Sequence, residues 1–554
     1  MQRFASLLDR LSHEPRRSAK LTLLADHFAR VPDPERGLAL AALTGGLKFR
    51  NARPAMLRAL VAERVDPHLF ELSYDFVGDL SETIALIWPR AGEAPSDEAR
   101  APTHALSLSQ VVERLETAGR GEAPGLMSGW LDQLDETGRW ALLKLVTGGL
   151  RVGVSARLAK TAVAALGPLT PDEIEEVWHA QSPPYEALFA WAEGRGPRPE
   201  NDDPAPFRPV MLAHPLEERD RQALSLSDFA VEWKWDGIRV QAVSGHDSSG
   251  RRVARLFSRT GEDISPAFPD LMETLDFDAA IDGELLVMED GVVRSFNALQ
   301  QRLNRKTVSA RLMHSHPVAI RAYDLLALDG EDLRGEPFRV RRARLEAFVS
   351  RKAHPRLDLS PILDPADWQA VERARNDPRE FYAGADVAAI EGVMLKRRDA
   401  PYVPGRPRGE WFKWKRDPYR VDAVRMYAQR GHGKRSSFFS DYTFGVWREG
   451  DAGRELVPVG KAYFGFTDEE LREIDRFVRA NTVNRFGPVR EVRHDAGAAL
   501  VLEVAFEGLA RSQRHKSGLA MRFPRIARLR WDKPAGEADT IDTLTALLET
   551  LEKT

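Results

Sequence analysis

The chain changes its hydrophobic rhythm sharply at one segment, residues 194–209, which reads GRGPRPENDDPAPFRP. Proline and glycine mixed with charge neither continue a helix nor pair well in a sheet, so the stretch predicts a linker. Before it, runs such as SAKLTLLADHFARV and SQVVERLETA place apolar residues three and four apart, the period of an amphipathic helix. After it come short runs rich in β-branched and aromatic residues, VEWKW, GIRVQAV, AAIDGELLV and VAIRAYDLLAL, with helical stretches between them. A second β-rich series, VDAVRMYA, YTFGVW and ALVLEVAFEG, starts near residue 420 and is interrupted by one helical segment, TDEELREIDRFVRAN. One hydrophobic core does not grow to 554 residues, and two to four domains are expected. The fold class that follows is multidomain, α and α+β. A helical domain is expected over 1–200, a mixed α/β domain over 206–419 and a small β-barrel of OB-fold type over 420–554. Residues 89–103 (PRAGEAPSDEARAPT) read as a mobile loop within the helical part.

Composition removes several classes of function. There are no cysteines, so disulfides, thiolate-bound zinc and thiol catalysis are excluded. No apolar run approaches the ~20 residues that span a bilayer, so no membrane partner is expected. Asp9, Arg10 and Glu14 interrupt the first residues, MQRFASLLDRLSHEPRR, so no secretory leader is expected and a cytoplasmic protein is. The net charge of −3 means that any nucleic acid must be held by local basic patches in a balanced background.

A short echo sits in the helical part. Residues 43–50 read LTGGLKFR and residues 146–153 read VTGGLRVG. Two ordinary glycine helix caps would explain the likeness. So would a pair of loops whose backbone amides and cations grip two phosphate tracks.

Chemistry is concentrated beyond the linker. A lysine between strand residues, followed at once by Asp-Gly, stands in Glu232-Trp-Lys234-Trp-Asp236-Gly-Ile-Arg239. Downstream stand Ser258-Arg259-Thr-Gly-Glu-Asp, Asp282-Gly-Glu284-Leu, Ala322-Tyr323-Asp-Leu, Glu391-Gly-Val-Met-Leu-Lys396, Trp411-Phe-Lys413-Trp-Lys415 and Arg530-Trp-Asp-Lys533. Each is weak alone. In this order they resemble the motif series of the covalent nucleotidyltransferases, which comprise DNA ligases, RNA ligases and mRNA capping enzymes.

That resemblance assigns roles. Lys234 is the nucleophile for the α-phosphate of ATP. A lysine at its ordinary pKa of ~10.4 is protonated at neutral pH, so its amine must be released by burial or by neighbouring cations. Arg259, Lys396, Lys413 and Lys415 are the cations expected to converge on the α-phosphate. Glu284 and Glu391 suit hard-oxygen ligation of Mg²⁺, with Mn²⁺ as the other candidate, and Glu284 is also expected near the ribose. Glu232 corresponds to the acceptor of the adenine amino group and Tyr323 to the aromatic that stacks on the purine. Arg239 corresponds to an arginine near the ribose and the nick, while Asp236 is expected to orient the loop. An arginine just before Trp411 is also implied; PGRPRGEW offers Arg406, the preferred candidate, and Arg408. Arg530 and Lys533 are expected to orient the departing pyrophosphate.

The helical part inclines the reading to DNA. Residues 148–157 (GGLRVGVSAR) resemble a signature of the DNA-binding domain of replicative-type ligases, and 209–215 (PVMLAHP) the segment that introduces their adenylation domain. Residues 295–302 (SFNALQQR) resemble the segment that presents a phenylalanine to the minor groove. Phe296, Arg302, Arg151, Lys434, Arg435, Arg514 and Lys516 are therefore candidate DNA contacts, the last four in the basic turns GHGKR and ARSQRHK. A zinc-bearing NAD-dependent ligase is excluded by the lack of cysteine. An RNA ligase or another covalent nucleotidyltransferase is the alternative, and a decayed, non-catalytic end-binder would have lost Lys234. The resemblance implies a compact bacterial three-domain ligase acting as a monomer on nicked duplex DNA at the nucleoid, associated with repair helicases and nucleases.

Overall fold

The computed structural model describes residues 1–77, 79–89, 106–200, 203–289, 291–294, 296–303, 305, 308–431, 438–450, 453–487, 489–494, 499–512 and 515–553. Apart from Pro89, the loop expected at 89–103 lies outside them. The chain divides into two compact units. One comprises Glu175–Ala180, Glu200–Pro418 and Thr545–Thr554; the other comprises Met1–Ile174, Gln181–Pro199 and Tyr419–Leu544.

In the second of these units, the residues before 194 are helical wherever they form regular structure, from Gln2–His13 to Glu186–Ala192. The three- and four-residue spacing is realised as buried stripes: Phe4, Leu7, Leu8 and Leu11 on the first helix, and Leu142, Leu143, Leu145 and Val146 on Glu136–Thr147. The sequence echo is two matching helix ends. Helices Glu35–Thr44 and Glu136–Thr147 both stop at a threonine and pass into a glycine of positive φ, Gly45 at 76° and Gly148 at 74°. Lys48 and Arg151 follow these caps and are exposed.

The same unit carries a seven-stranded antiparallel sheet. Strand Tyr419–Arg430 pairs on one side with Phe439–Gly450 and on the other with Val501–Phe506 and then Val489–Val492. Strand Arg525–Arg530 closes on Val501–Phe506. The helix expected in this region is Asp468–Ala480, entered through a capping box of Thr467 and Glu470.

The other unit is built on two sheets. In the larger, Ile238–His246, Ala279–Glu289 and Val318–Leu328 run antiparallel as neighbours. Helix Phe338–Lys352 packs on it through Leu345 and Phe348, which join Val240, Ile281, Leu285 and Ile320 in one core. In the smaller, Phe229–Trp235 pairs with Ile390–Arg397, which pairs with Trp411–Lys415. The linker expectation needs correcting at its C-terminal end. Ala205 and Phe207 are buried, Phe207 packs against Phe257 with ring centres 5.4 Å apart, and Asp203 pairs with Arg255. Two apolar side chains and one acid are enough to dock these residues on the sheet rather than leave them free.

Candidate active site

Strand alternation separates the chemistry from the core. Phe229, Val231, Trp233 and Trp235 enter an apolar cluster with Val393, Leu395 and Phe412. Glu232 and Lys234 therefore take the opposite face of the same strand. By the same period Lys413 and Lys415 share that face on Trp411–Lys415, the strand on the far side of Ile390–Arg397.

Glu391 reaches this face because the ladder breaks beside it. Ile390 pairs with Trp235 and Gly392 with Lys234, so Glu391 is the extra residue of a β-bulge. Its carboxylate lies 2.5 Å from the Lys234 ammonium and 2.9 Å from that of Lys415. The bulge demands glycine next in line: Gly392 has φ 146°, and a Cβ there would run into the Trp414 carbonyl and the Lys415 Cα. Gly237 serves the other wall, since a Cβ there would collide with Leu285 and Glu284.

The charges around Lys234 sort into two groups. Burial alone would lower its ammonium, but Glu391, Glu284 and Asp236 outweigh burial and hold it above the usual lysine value. This corrects the expectation of a depressed Lys234: the charges that act most on it are acids, and they stabilise the cation. Lys413, by contrast, is pushed down, first by burial and then by Lys234, Arg406, Lys415 and Arg259. Of the two open candidates, Arg406 is thus placed where its charge acts on the cluster. Glu284 is pushed up to about 8 by burial, with the neighbouring Glu391 adding to it and Lys234 opposing.

Lys396 was expected among these cations and lies elsewhere. Its ammonium is 2.7 Å from Glu232 and 4.3 Å from the centre of the Tyr323 ring. It lies beside Glu232 and Tyr323, away from Lys234, because residue 396 falls five positions beyond the bulge on a regular ladder opposite Ala230. Arg239 also needs correcting. Its guanidinium forks onto Asp282 and donates to the Met211 carbonyl and the Tyr402 hydroxyl, so its donors support the pocket wall and leave little for a ribose.

The candidate DNA contacts divide similarly. Arg302 has no exposed surface; it is ion-paired with Asp270, donates to the Ala267 and His316 carbonyls and lies over Phe268. So enclosed, it is a structural clamp and not a DNA contact. Arg151 is exposed, Lys516 is exposed and 3.3 Å from Glu455, and Phe296 is half-buried at the start of helix Phe296–Gln300. Lys434, Arg435 and Arg514 lie outside the described residues. Arg530 and Lys533 both reach one oxygen of Asp422, at 3.1 and 2.7 Å.

Sequence reasoning overlooked Arg342, which is 3.2 Å from the second oxygen of Glu232. Helix Phe338–Lys352 is so rich in arginine that it reads as a solvated surface. The signal was its spacing: Arg341 and Arg342 fall between Phe338 and Leu345 on the apolar stripe and are buried with them.

A lysine lodged between two carboxylates and a bank of cations, with a base-sized polar pair farther along the same strands, places the protein among the covalent nucleotidyltransferases. Residues 210–415 match the ATP dependent DNA ligase domain and residues 435–533 the ATP dependent DNA ligase C terminal region. A "Probable DNA ligase" of Koribacter versatilis is 34% identical over 420 residues, covering 72% of this chain and 70% of that protein. "DNA ligase 1" of Korarchaeum cryptofilum is 28% identical over 99% of this chain and 98% of its own length. Among solved structures, Pmar-Lig_PreS3 shares the fold at a TM-score of 0.54 and 14% identity, covering 95% of this chain and 99% of that one. The chain belongs to the ATP-dependent DNA ligase family and is an ATP-dependent DNA ligase.

Proposed function

We propose that the protein seals 5′-phosphate/3′-hydroxyl nicks in duplex DNA through an AMP phosphoramidate on Lys234. The observation that carries this is the lodging of Lys234 against Glu391 and Glu284 with Lys413 and Lys415 on the same face. In the first step the neutral Lys234 amine attacks the α-phosphorus of ATP, the bond to the β-phosphate oxygen breaks and pyrophosphate leaves. In the second, an oxygen of the DNA 5′-phosphate attacks the AMP phosphorus and the lysine amine leaves. In the third, the 3′-hydroxyl attacks the 5′-phosphorus, the strand is joined and AMP departs.

Each group in the site has work in this scheme. Arg259, Arg406, Lys413 and Lys415 are the cations available to the phosphates. Glu232 and Lys396 present an acceptor and a donor 2.7 Å apart, which matches the 6-amino group and N1 of adenine and opposes the donor–acceptor order of guanine. Tyr323, beside them, is the ring on which the purine stacks. Glu284 and Glu391 would hold Mg²⁺ or Mn²⁺. The fit is chemical: they are hard oxygen donors, and burial, with Glu391 close by, pushes Glu284 up to about 8, a cost that a bound cation would offset. When bound, that cation would offset the two carboxylates that do most to hold the Lys234 ammonium up, which favours the neutral amine.

The wider reading rests on the family resemblance. Residues 1–200 bind DNA, 206–419 carry adenylation and 420–554 form an OB-fold whose Arg530 and Lys533 assist pyrophosphate departure. Residues 417–421 act as the hinge that lets the barrel serve pyrophosphate and then DNA. Arg151, Phe296 and Lys516 contact the duplex. So does Phe523, which is exposed, has a positive φ of 50° and stands next to Arg522. The protein acts as a monomer in the bacterial cytoplasm at the nucleoid, in repair, with helicases and nucleases as associates.

The test is sealing of a 5′-phosphorylated nick with ATP and Mg²⁺, with Lys234→Ala beside the wild type. Wild-type sealing and loss of both sealing and labelled enzyme–AMP in the variant is the expected result. Enzyme–AMP without sealing of DNA would overturn the DNA reading and favour RNA ends. Residual enzyme–AMP in the variant would overturn Lys234 as nucleophile.

A further inference from the structure

We propose that Arg342 is the positioning residue that gives the site its preference for a 6-amino purine. The proposal rests on the reading of Glu232 as the acceptor of the adenine amino group. Glu232 is about as enclosed as a carboxylate can be, with 1% of its surface exposed. One of its oxygens faces Lys396 at 2.7 Å and the other faces Arg342 at 3.2 Å.

These two cations differ in what a nucleotide does to them. The Lys396 ammonium lies 4.3 Å from the centre of the Tyr323 ring, against the ring on which the purine would stack. A base arriving there must share the lysine or displace it. Arg342 comes from helix Phe338–Lys352 and is tied down independently of any ligand. It donates to the Ser360 carbonyl at 2.7 Å and to Glu346 at 2.7 Å, leaving one nitrogen for Glu232. Ser360 is itself fixed by the Trp235 indole, whose N–H donates to its hydroxyl at 3.0 Å. The guanidinium is a rigid planar fork, so two donors anchored elsewhere fix its plane and aim the third at the carboxylate. Arg342 thus keeps the Glu232 lone pair aimed at the base while Lys396 is being shared. Without it the carboxylate is free to turn towards its one remaining cation, and the 6-amino group loses a charged acceptor.

This has a consequence that a merely structural arginine would not have. A nucleotide lacking the 6-amino group makes no use of Glu232, so it should be indifferent to Arg342. The experiment measures KM and kcat for enzyme–AMP or enzyme–nucleotide formation with ATP and with purine riboside 5′-triphosphate, in wild type, Arg342→Gln and Arg342→Lys. Wild type should prefer ATP by about a hundredfold in kcat/KM, the scale on which a lost hydrogen bond to a charged partner discriminates. Arg342→Gln should raise KM for ATP about tenfold or more with little change for purine riboside triphosphate, collapsing the preference. Arg342→Lys, which restores one charged donor, should recover part of it. A preference that survives in Arg342→Gln overturns the proposal, as does an equal loss with both nucleotides in both variants, which would mark the residue as a fold support. If wild type itself shows no preference, it is the reading of Glu232 that fails.

Discussion

Arg425 lies on strand Tyr419–Arg430 with no exposed surface, and none of its three guanidinium nitrogens meets a hydrogen-bond partner among the described residues. The other fully buried arginines are treated differently. Arg341 forks onto Asp324 and Arg302 onto Asp270. For Arg425 the compensation visible in the structure is the Phe477 ring, whose centre is 4.8 Å from the guanidinium carbon. Burial accordingly pushes its guanidinium well below the usual arginine value. A desolvated cation over a ring recovers about 2 kcal/mol, and an unpaired buried charge costs more than that. Arg425→Met keeps the volume and removes the charge, so it should stabilise the β-rich part by about 2 kcal/mol and raise its unfolding midpoint by about 5 °C. Calorimetry or a circular-dichroism melt decides this; an unchanged or lowered midpoint would mean that the arginine is satisfied by its surroundings. In sequence, VDAVRMYA gives no hint of the anomaly, because an arginine in a strand normally reads as its solvated face. The same bias hid Arg342, while Arg302 entered as a DNA contact through the resemblance of its segment, SFNALQQR. A motif names a residue type and an order, but whether the side chain faces water, a ligand or an internal acid is decided by elements far away in sequence.

Among elements, the bulged strand Ile390–Arg397 has the most to do with chemistry. It supplies Glu391 to Lys234 at its irregular end and Lys396 to Glu232 at its regular end, and the bulge puts those two charges out of step. Gly392→Ala should therefore displace Glu391 and Lys415 together, since the added Cβ meets the backbone of Trp414 and Lys415. Enzyme–AMP formation should fall by about a hundredfold, the usual result of misplacing reactive groups by an ångström. Gly250→Ala is the matched control: its φ of 77° also disfavours alanine, but nothing stands within 4 Å of its Cβ, so it should lose stability without losing adenylation. Near-wild-type adenylation in Gly392→Ala would show that the bulge does not aim Glu391. These elements were legible because their patterns are local: VEWKW reads as the strand and TDEELREIDRFVRAN as the helix observed. The bulge was not, because one extra residue shows only when the partner strand is known. The docking of Phe207 was hidden in the same way, since nothing in a proline-rich segment announces that one of its aromatics has a place in a distant core.

At the scale of the whole molecule, the charge balance separates the two substrates. With a net charge of −3, the protein offers DNA no general attraction, so under the proposed function affinity for the duplex is expected to rest on exposed local cations, of which Lys48, Arg151 and Lys516 are candidates. Contacts of that kind act by releasing counterions from phosphates, and they weaken steeply as salt rises. Lys234 and Glu391 are in a different position: their charges are largely enclosed and lie 2.5 Å apart, well inside any Debye length. The two half-reactions should therefore respond differently to the same change. Raising KCl from about 50 to about 200 mM should reduce sealing of a nicked duplex at subsaturating DNA by about a hundredfold, the loss expected for a handful of phosphate contacts. Enzyme–AMP formation from ATP should change by no more than about twofold over that range, because buried pairs are screened far less than exposed ones. Pre-adenylylated enzyme supplied with nicked DNA should reproduce the full salt effect, and saturating DNA should remove most of it. If both half-reactions fell in parallel, salt would be acting on the adenylation site, and exposed patches would not be what carries the duplex. If neither fell, recognition of DNA would rest on apolar and backbone contacts, with Phe296 and Phe523 the first residues to replace.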